Sequence, residues 1–286
     1  MKKTYFVTGA SRGLGLELTN QILANGDNLV ATARHPERLD YLKTKYPNQL
    51  VTVLMDVTDI KAVQRAVQIA FDSFGTVDVV INNAGYIDFA FLEDEDMDVF
   101  KRQINTNFYG PVYVTKTFLP YFRKQTDENW IINISSAMSK SKGPGSAAYT
   151  AAKAAEIAFS EAINAEMQPF NVHVWTIEPG GMRTEFTQSA SLKTVSAPYK
   201  TVYGDMLKSL NPHASDKFPG DAAKSAAAIL VLPKLKDYDQ SLPFGIDSLA
   251  ISNAYAKATL DSNQKHQEWI TSNVADDFDP RQYNIS

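Results

Sequence analysis

Short runs of β-branched and aliphatic residues alternate along this chain with longer stretches of helical period. The runs are Thr4–Thr8, Asn28–Ala33, Leu50–Met55, Val77–Asn82, Trp130–Ile134 and Val172–Glu178. Several are apolar on successive residues, as at Val79, Val80 and Ile81, rather than on every second one. That pattern marks strands covered on both faces, as in a parallel sheet. Helical periodicity fills the gaps over Gly15–Asn25, Asp59–Phe74, Asp96–Arg123, Ser146–Met167 and Asp221–Leu232. The alternation predicts a doubly wound α/β sheet with right-handed crossovers and helices on both faces.

Two stretches break the rhythm. Residues 181–220 form a long connection with interrupted helical signals. A connection of that length inside a compact domain is usually functional, so it is read as a substrate lid. After a short Leu242–Gly245 run, residues 247–286 read as a helical tail ending in polar residues. The length of 286 residues would admit one domain or two, but no compositional break appears. The expectation is therefore a single domain over residues 1–286.

Composition removes several function classes. Apolar residues make up 44% and charged residues 21%, enough for a sizeable core. The absence of Cys excludes disulfides, thiolate metal sites and cysteine nucleophiles, and agrees with a cytoplasmic setting. With 28 basic against 32 acidic side chains, the net charge of −4 argues against nucleic acid as a partner. The longest apolar run, Ala226 to Leu232, is far below the roughly 18 residues of a membrane span. His35, His173, His213 and His266 show no ligand spacing, so no metal site is expected.

Candidate chemistry gathers where the predicted strands end. The first strand runs into Gly9-Ala10-Ser11-Arg12-Gly13-Leu14-Gly15 and then directly into a helix. A glycine turn there lets backbone approach a pyrophosphate, and the helix N-terminus faces its charge. The second strand ends in Ala33 and Arg34, where NAD-binding sheets carry an acid. Arg12 and Arg34 flanking one ribose suit a 2′-phosphate, favouring NADP(H). Asp56 and Asn83-Ala84-Gly85 follow the third and fourth strands, also at ligand-binding ends. Ser136 follows the fifth, and Tyr149 and Lys153 stand one helical turn apart, so phenol and ammonium address a common point. A neighbouring ammonium pulls a phenol's pKa down from about 10, as an acid working near neutral pH requires.

Taken in order, these elements resemble the short-chain dehydrogenase/reductase family in its compact, NADP-preferring form. The matching residues are Thr8–Gly15, Asp56, Asn82–Gly85, Asn107, Ser136, Tyr149, Lys153 and Pro179-Gly180 with Thr184. The resemblance implies a Rossmann-like sheet of about seven strands. It makes Tyr149 the proton donor to the substrate oxygen, and gives Lys153 the phenol's pKa and the nicotinamide ribose. Ser136 would bind the carbonyl oxygen, and Asn107 would position a relay water. Cofactor contacts fall on Gly9, Ser11, Arg12, Gly13, Leu14, Gly15, Arg34, Asp56, Val57, Asn83, Ala84, Gly85, Tyr149, Lys153, Pro179, Gly180, Met182 and Thr184. The implied assembly is a homodimer through the helices bearing Asn107 and Tyr149, with a tetramer through the sheet edge as the larger form.

For the substrate, Ser136 and Tyr149 mark the reacting oxygen, and Met138, Met182, Phe186 and Tyr203 are read as walls. No cation is conspicuously placed for a substrate anion; Arg183 and Lys200 are the nearest candidates. The reading is an NADP(H)-dependent carbonyl reductase or alcohol dehydrogenase acting on a small, hydrophobic, uncharged ketone, aldehyde or alcohol. Two alternatives stand beside it. A sugar-nucleotide epimerase or dehydratase shares the Tyr-x-x-x-Lys pair but needs a larger C-terminal domain. An NADP-binding sensor without turnover would be expected to have lost Tyr149 or Lys153. The acidic run Glu93–Asp96 is read as a helix start that complements the dipole.

Overall fold

A computed structural model describes residues 2–188, 191–192, 195–209, 217–235 and 241–275. Seven strands make one sheet: β1 (Thr4–Thr8), β2 (Asn28–Ala33), β3 (Leu50–Leu54), β4 (Val79–Asn82), β5 (Asn129–Ile134), β6 (Val172–Pro179) and β7 (Ser241–Phe244). Their order across the sheet is β3-β2-β1-β4-β5-β6-β7, with every pairing parallel. The Leu242–Gly245 run thus supplies the seventh strand. Chain direction across the sheet reverses between β1 and β4, which opens a crevice at their carboxyl ends.

The apolar runs alternate between two cores. Tyr5 and Val7 join one, while Phe6 between them joins the other. Helices α1 (Gly13–Ala24) and α2 (Ile60–Phe74) cover opposite faces, burying Leu14, Leu18 and Ile22 on one side and Val63, Ala66 and Val67 on the other. Asp59 caps α2 by accepting from the Lys61 N–H at 2.9 Å, and Gly75, at φ 75°, ends it. Polar caps and glycine stops explain why these boundaries fall where they do.

The predicted helix Asp96–Arg123 runs unbroken from Met97 to Phe122 but widens once along its length. It consists of α3 (Met97–Ile104), a π-helical turn over Asn105–Tyr109, and α4 (Gly110–Phe122). Pro111 has no N–H for the α ladder and would crowd the carbonyl four residues before it, so the turn widens. Gly110 lets α4 press on Val57; a Cβ there would lie 2.8 Å from the Val57 Cγ2.

Beyond these lie α5 (Ala147–Met167), α6 (Ala197–Ser209), α7 (Ala222–Val231) and α8 (Ile246–Lys265). Residues 189–190, 193–194 and 210–216 of the predicted lid, and residues 276–286 of the tail, lie outside the described residues. The described part of 181–220 is hooked to the acidic run. Ser196 N–H donates to Asp94 Oδ2 at 2.8 Å, and the Tyr199 hydroxyl donates to Glu93 Oε2 at 3.0 Å. The run therefore does more than start a helix: Asp96 caps α3, while Glu93 and Asp94 hold α6. No helix among the described residues is long and apolar enough to cross a membrane.

Candidate active site

One cavity of about 630 Å³ runs along the carboxyl ends of the strands. Gly9–Leu14 without Ala10, Arg34, His35 and Arg38 line one end, Asp56, Val57 and Asn83–Gly85 the middle, and Ser136, Tyr149, Lys153 and Pro179–Met182 the other. Arg38 is an addition that the sequence pattern did not single out, because it lies in a short 3₁₀ turn after β2.

The glycine turn is built tightly. A Cβ on Gly9 would lie 2.9 Å from the Ala84 Cα, and one on Gly15 would strike the Gly9 carbonyl. Gly13 takes φ 52°, a left-handed conformation open to glycine at little cost. No side chain caps α1 at Arg12, so no side-chain acceptor there occupies the N-terminal donors of the helix. Free donors, a glycine cradle and arginines at one end fit a dinucleotide phosphate.

The two crevice loops are tied together. Thr8 Oγ1 accepts from the Asn83 and Ala84 N–H groups, each at 3.0 Å. The Asn83 amide donates to Thr8 O at 2.9 Å and Gly9 O at 3.2 Å. Asn83 thus lines the cavity while its amide nitrogen is spent on the turn. Asp56 accepts from the Thr58 N–H and hydroxyl at 2.8 and 2.7 Å, which folds the turn before α2.

At the other end Ser136, Tyr149 and Lys153 are buried together. Ser136 Oγ accepts from the Met138 N–H at 3.1 Å, and Ser136 and Tyr149 line the same cavity wall. Burial pushes the Tyr149 phenol above its ordinary value, while the Lys153 charge and the Ser136 hydroxyl pull it back and Glu156 pushes it up. In the protein alone burial wins, against the expected net depression. Lys153 Nζ donates to Ile134 O at 2.7 Å. Asn107 is fully buried, and its side chain is spent on backbone: Oδ1 accepts from Tyr86 N at 3.0 Å, and Nδ2 donates to Tyr86 O and Gln103 O. Both amide hydrogens of Asn107 are thus spent on backbone, while Oδ1 keeps a second lone pair.

Met138, Met182, Thr184 and Phe186 line the cavity as expected, and the Phe186 ring lies 6.3 Å from that of Tyr149. Tyr203 does not belong to this wall. Its ring packs on Phe91 at 5.1 Å and stacks on Tyr199, because the hook at Glu93 and Asp94 turns α6 that way. Arg183 donates through Nε to Phe218 O at 2.7 Å, and neither it nor Lys200 reaches the cavity wall.

Two carboxylates missed in the sequence, one buried and one half-buried, hold this end in place. Glu178, at 1% exposure, accepts from Ser139 at 2.9 Å, Lys140 at 2.7 Å and Ser241 at 2.7 Å. It joins the loop after Ser136 to the last strand. Asp247, from the first turn of α8, accepts the Gly181 N–H through Oδ2 at 2.7 Å. A Cβ on Gly180 would strike that carboxylate. Ser248 adds a bond to Glu178 O at 2.6 Å, and Ile251 reaches the cavity. The start of the tail helix is thus part of the site. Glu178→Ala strands the Lys140 charge and the Ser139 and Ser241 hydroxyls, so it should cost about 3 kcal/mol. A urea midpoint unchanged from the parent would refute that.

The fold and the ordered constellation define a nicotinamide-binding oxidoreductase. The short chain dehydrogenase family model matches residues 3–194, and the chain belongs to that family. It is 37% identical over 270 residues to the oxidoreductase BOA17 of Botryotinia fuckeliana, covering 94% of this chain and 98% of that one. Its structure is similar to a short-chain dehydrogenase from Streptomyces avermitilis, with TM-score 0.87 and 28% identity over 96% of this chain and 99% of that one. A short-chain dehydrogenase from Burkholderia cenocepacia in complex with NADP shares the fold, with TM-score 0.72 and 23% identity over 92% and 97% of the two chains.

Proposed function

We propose that the protein is an NADP(H)-dependent carbonyl reductase or alcohol dehydrogenase of the short-chain type, acting on an uncharged, hydrophobic ketone, aldehyde or alcohol. The observation that carries this reading is the Ser136–Tyr149–Lys153 group at the apolar end of a cavity whose far end holds Arg12, Arg34 and Arg38. The nicotinamide supplies or takes the hydride when bound. Gly9–Gly15, Val57, Asn83–Gly85, Pro179, Gly180, Met182 and Thr184 orient it. Ser136 and Tyr149 direct two hydroxyls at one substrate oxygen, where reduction builds negative charge. Tyr149 gives that oxygen its proton and takes it back in oxidation. Burial keeps the phenol protonated at neutral pH. Reduction should therefore hold level through neutrality, whereas oxidation should rise as the medium turns alkaline.

The NADP in the Burkholderia cenocepacia dehydrogenase supports the choice of coenzyme. The walls Met138, Met182, Phe186, Phe218 and Ile251 support an apolar substrate. We further propose a cytoplasmic homodimer through the helix of the π turn and α4, where Tyr109 is 42% exposed, and through α5, with a tetramer through the β7 edge as the larger assembly.

Rates with NADPH and NADH over a panel of aryl and alkyl ketones test this reading. NADPH should be preferred, and Arg12→Ala with Arg34→Ala should raise its KM about 100-fold while leaving NADH nearly unchanged. Equal rates with the two coenzymes in the parent would overturn the preference. No turnover of any carbonyl or alcohol would overturn the function.

A further inference from the structure

Helix α5 carries a buried acid to which the chemistry above gives no task. Glu156 lies one turn beyond Lys153 and is fully buried, and its Oε2 accepts from the Lys153 Nζ at 3.0 Å. The paired side chains are 4% and 0% exposed. Tyr149, Lys153 and Glu156 fall at i, i+4 and i+7, on one face of the helix. A carboxylate out of water is costly unless paired, and here the pairing is with the ammonium beside the reacting phenol. Lys153 spends a second donor on Ile134 O, which leaves one of its three for the cavity.

We propose that Glu156 is a positioning residue for the reaction: it anchors the Lys153 ammonium and, as a charge behind it, sets the pH at which Tyr149 exchanges its proton. This rests on the reading of Tyr149 as proton donor. The groups set against Glu156 are few. From α5 itself come the Lys153 ammonium and the Tyr149 phenol; from the end of β5 comes the Ser135 hydroxyl. Ser135 donates its proton to Lys153 O at 2.9 Å, which ties the end of β5 to the turn of α5 that carries the pair. Glu156 Oε1 has no partner, so the carboxylate is not saturated.

The electrostatics give the direction. A negative charge near the phenol disfavours phenolate, and Glu156 raises Tyr149. Burial pushes the Glu156 carboxyl itself up to about 7, against the Lys153 charge and its hydrogen bond. Glu156 therefore gains its charge near neutrality. Below that point Tyr149 feels the lysine undiminished; above it, the lysine is partly offset.

The test is the pH profile of alcohol oxidation at saturating NADP⁺ for the parent, Glu156→Gln and Glu156→Leu. Both variants remove the charge, so the rising limb should move down by about one pH unit, about tenfold in rate below the parent inflection. Glu156→Asp should return part of the shift. Urea unfolding of the parent across pH gives a readout independent of turnover. The carboxyl's pKa is raised on folding, so its stabilisation is full below the ordinary carboxyl range and is lost as pH rises through about 7. The Gln variant should lack that loss. An active parent whose pH profile the Gln and Leu variants reproduce overturns this inference alone. A parent without turnover overturns the functional reading and this inference with it. Failure of both variants to fold would make Glu156 structural and overturn the proposal.

Discussion

Tyr149→Phe should lower kcat for carbonyl reduction by about 1,000-fold and leave coenzyme affinity within about twofold of the parent. A positioned general acid is worth about 100- to 10,000-fold, and this phenol lines the cavity wall together with Ser136. The substitution deletes a hydroxyl and keeps the ring, so the packing against Phe186 survives. Ser136 keeps its bond from Met138 N–H, and Lys153 keeps Ile134 O and Glu156. No buried charge is stranded. Lys153→Met is a poorer probe, because it leaves the Glu156 carboxylate buried without its cation and confounds catalysis with stability. Stopped-flow oxidation of bound NADPH measures the chemical step, and coenzyme fluorescence measures binding. A variant retaining a tenth of parental kcat would remove Tyr149 from the proton-transfer role.

The sheet was legible in the sequence because parallel strands bury both faces and write themselves as unbroken apolar runs. The glycine turn, Ser136 and the Tyr149–Lys153 pair were legible because each depends on local spacing: a turn after a strand, or one turn of helix. What escaped depends on distant packing. Glu156 stands among alanines, and its chain neighbours give no sign that its carboxylate is buried against Lys153. Glu178 ends a strand and Asp247 starts a helix, and each has an ordinary role in such a place. They become site residues only because β7 and α8 return to the nicotinamide end of the cavity. The π turn at Asn105–Tyr109 was signalled by Pro111, but a proline in a first turn is also the normal start of a helix. Tyr203 failed in the other direction. An aromatic in a long connection was read as a pocket wall, and a hydrogen bond between Ser196 and Asp94, 102 residues apart in sequence, turned it elsewhere.

Gly15→Ala should be the most damaging single methyl in the protein. The added Cβ would fall on the Gly9 carbonyl and lie 2.6 Å from the Asn83 Nδ2. Neither neighbour can retreat cheaply. Gly9 is backbone at φ 65°, itself pressed on Ala84, and Asn83 is held by Thr8 O and Gly9 O. Relief requires the whole turn to shift, which separates the β1 and β4 loops and moves the N-terminus of α1 off the phosphate position. The cost should be about 3 kcal/mol, the upper end for overpacking, or a fall in Tm of about 6–12 °C. Coenzyme affinity should fall at least tenfold as well, on the order of 1.4 kcal/mol, because the helix donors no longer converge. Gly143→Ala is the matched control: nothing lies within 4 Å of its added Cβ, so stability should stay within about 0.5 kcal/mol. Differential scanning fluorimetry of both variants, with and without NADPH, separates the two effects. If Gly15→Ala melts with the parent and gains as much from NADPH, the turn is not the rigid phosphate cradle described above.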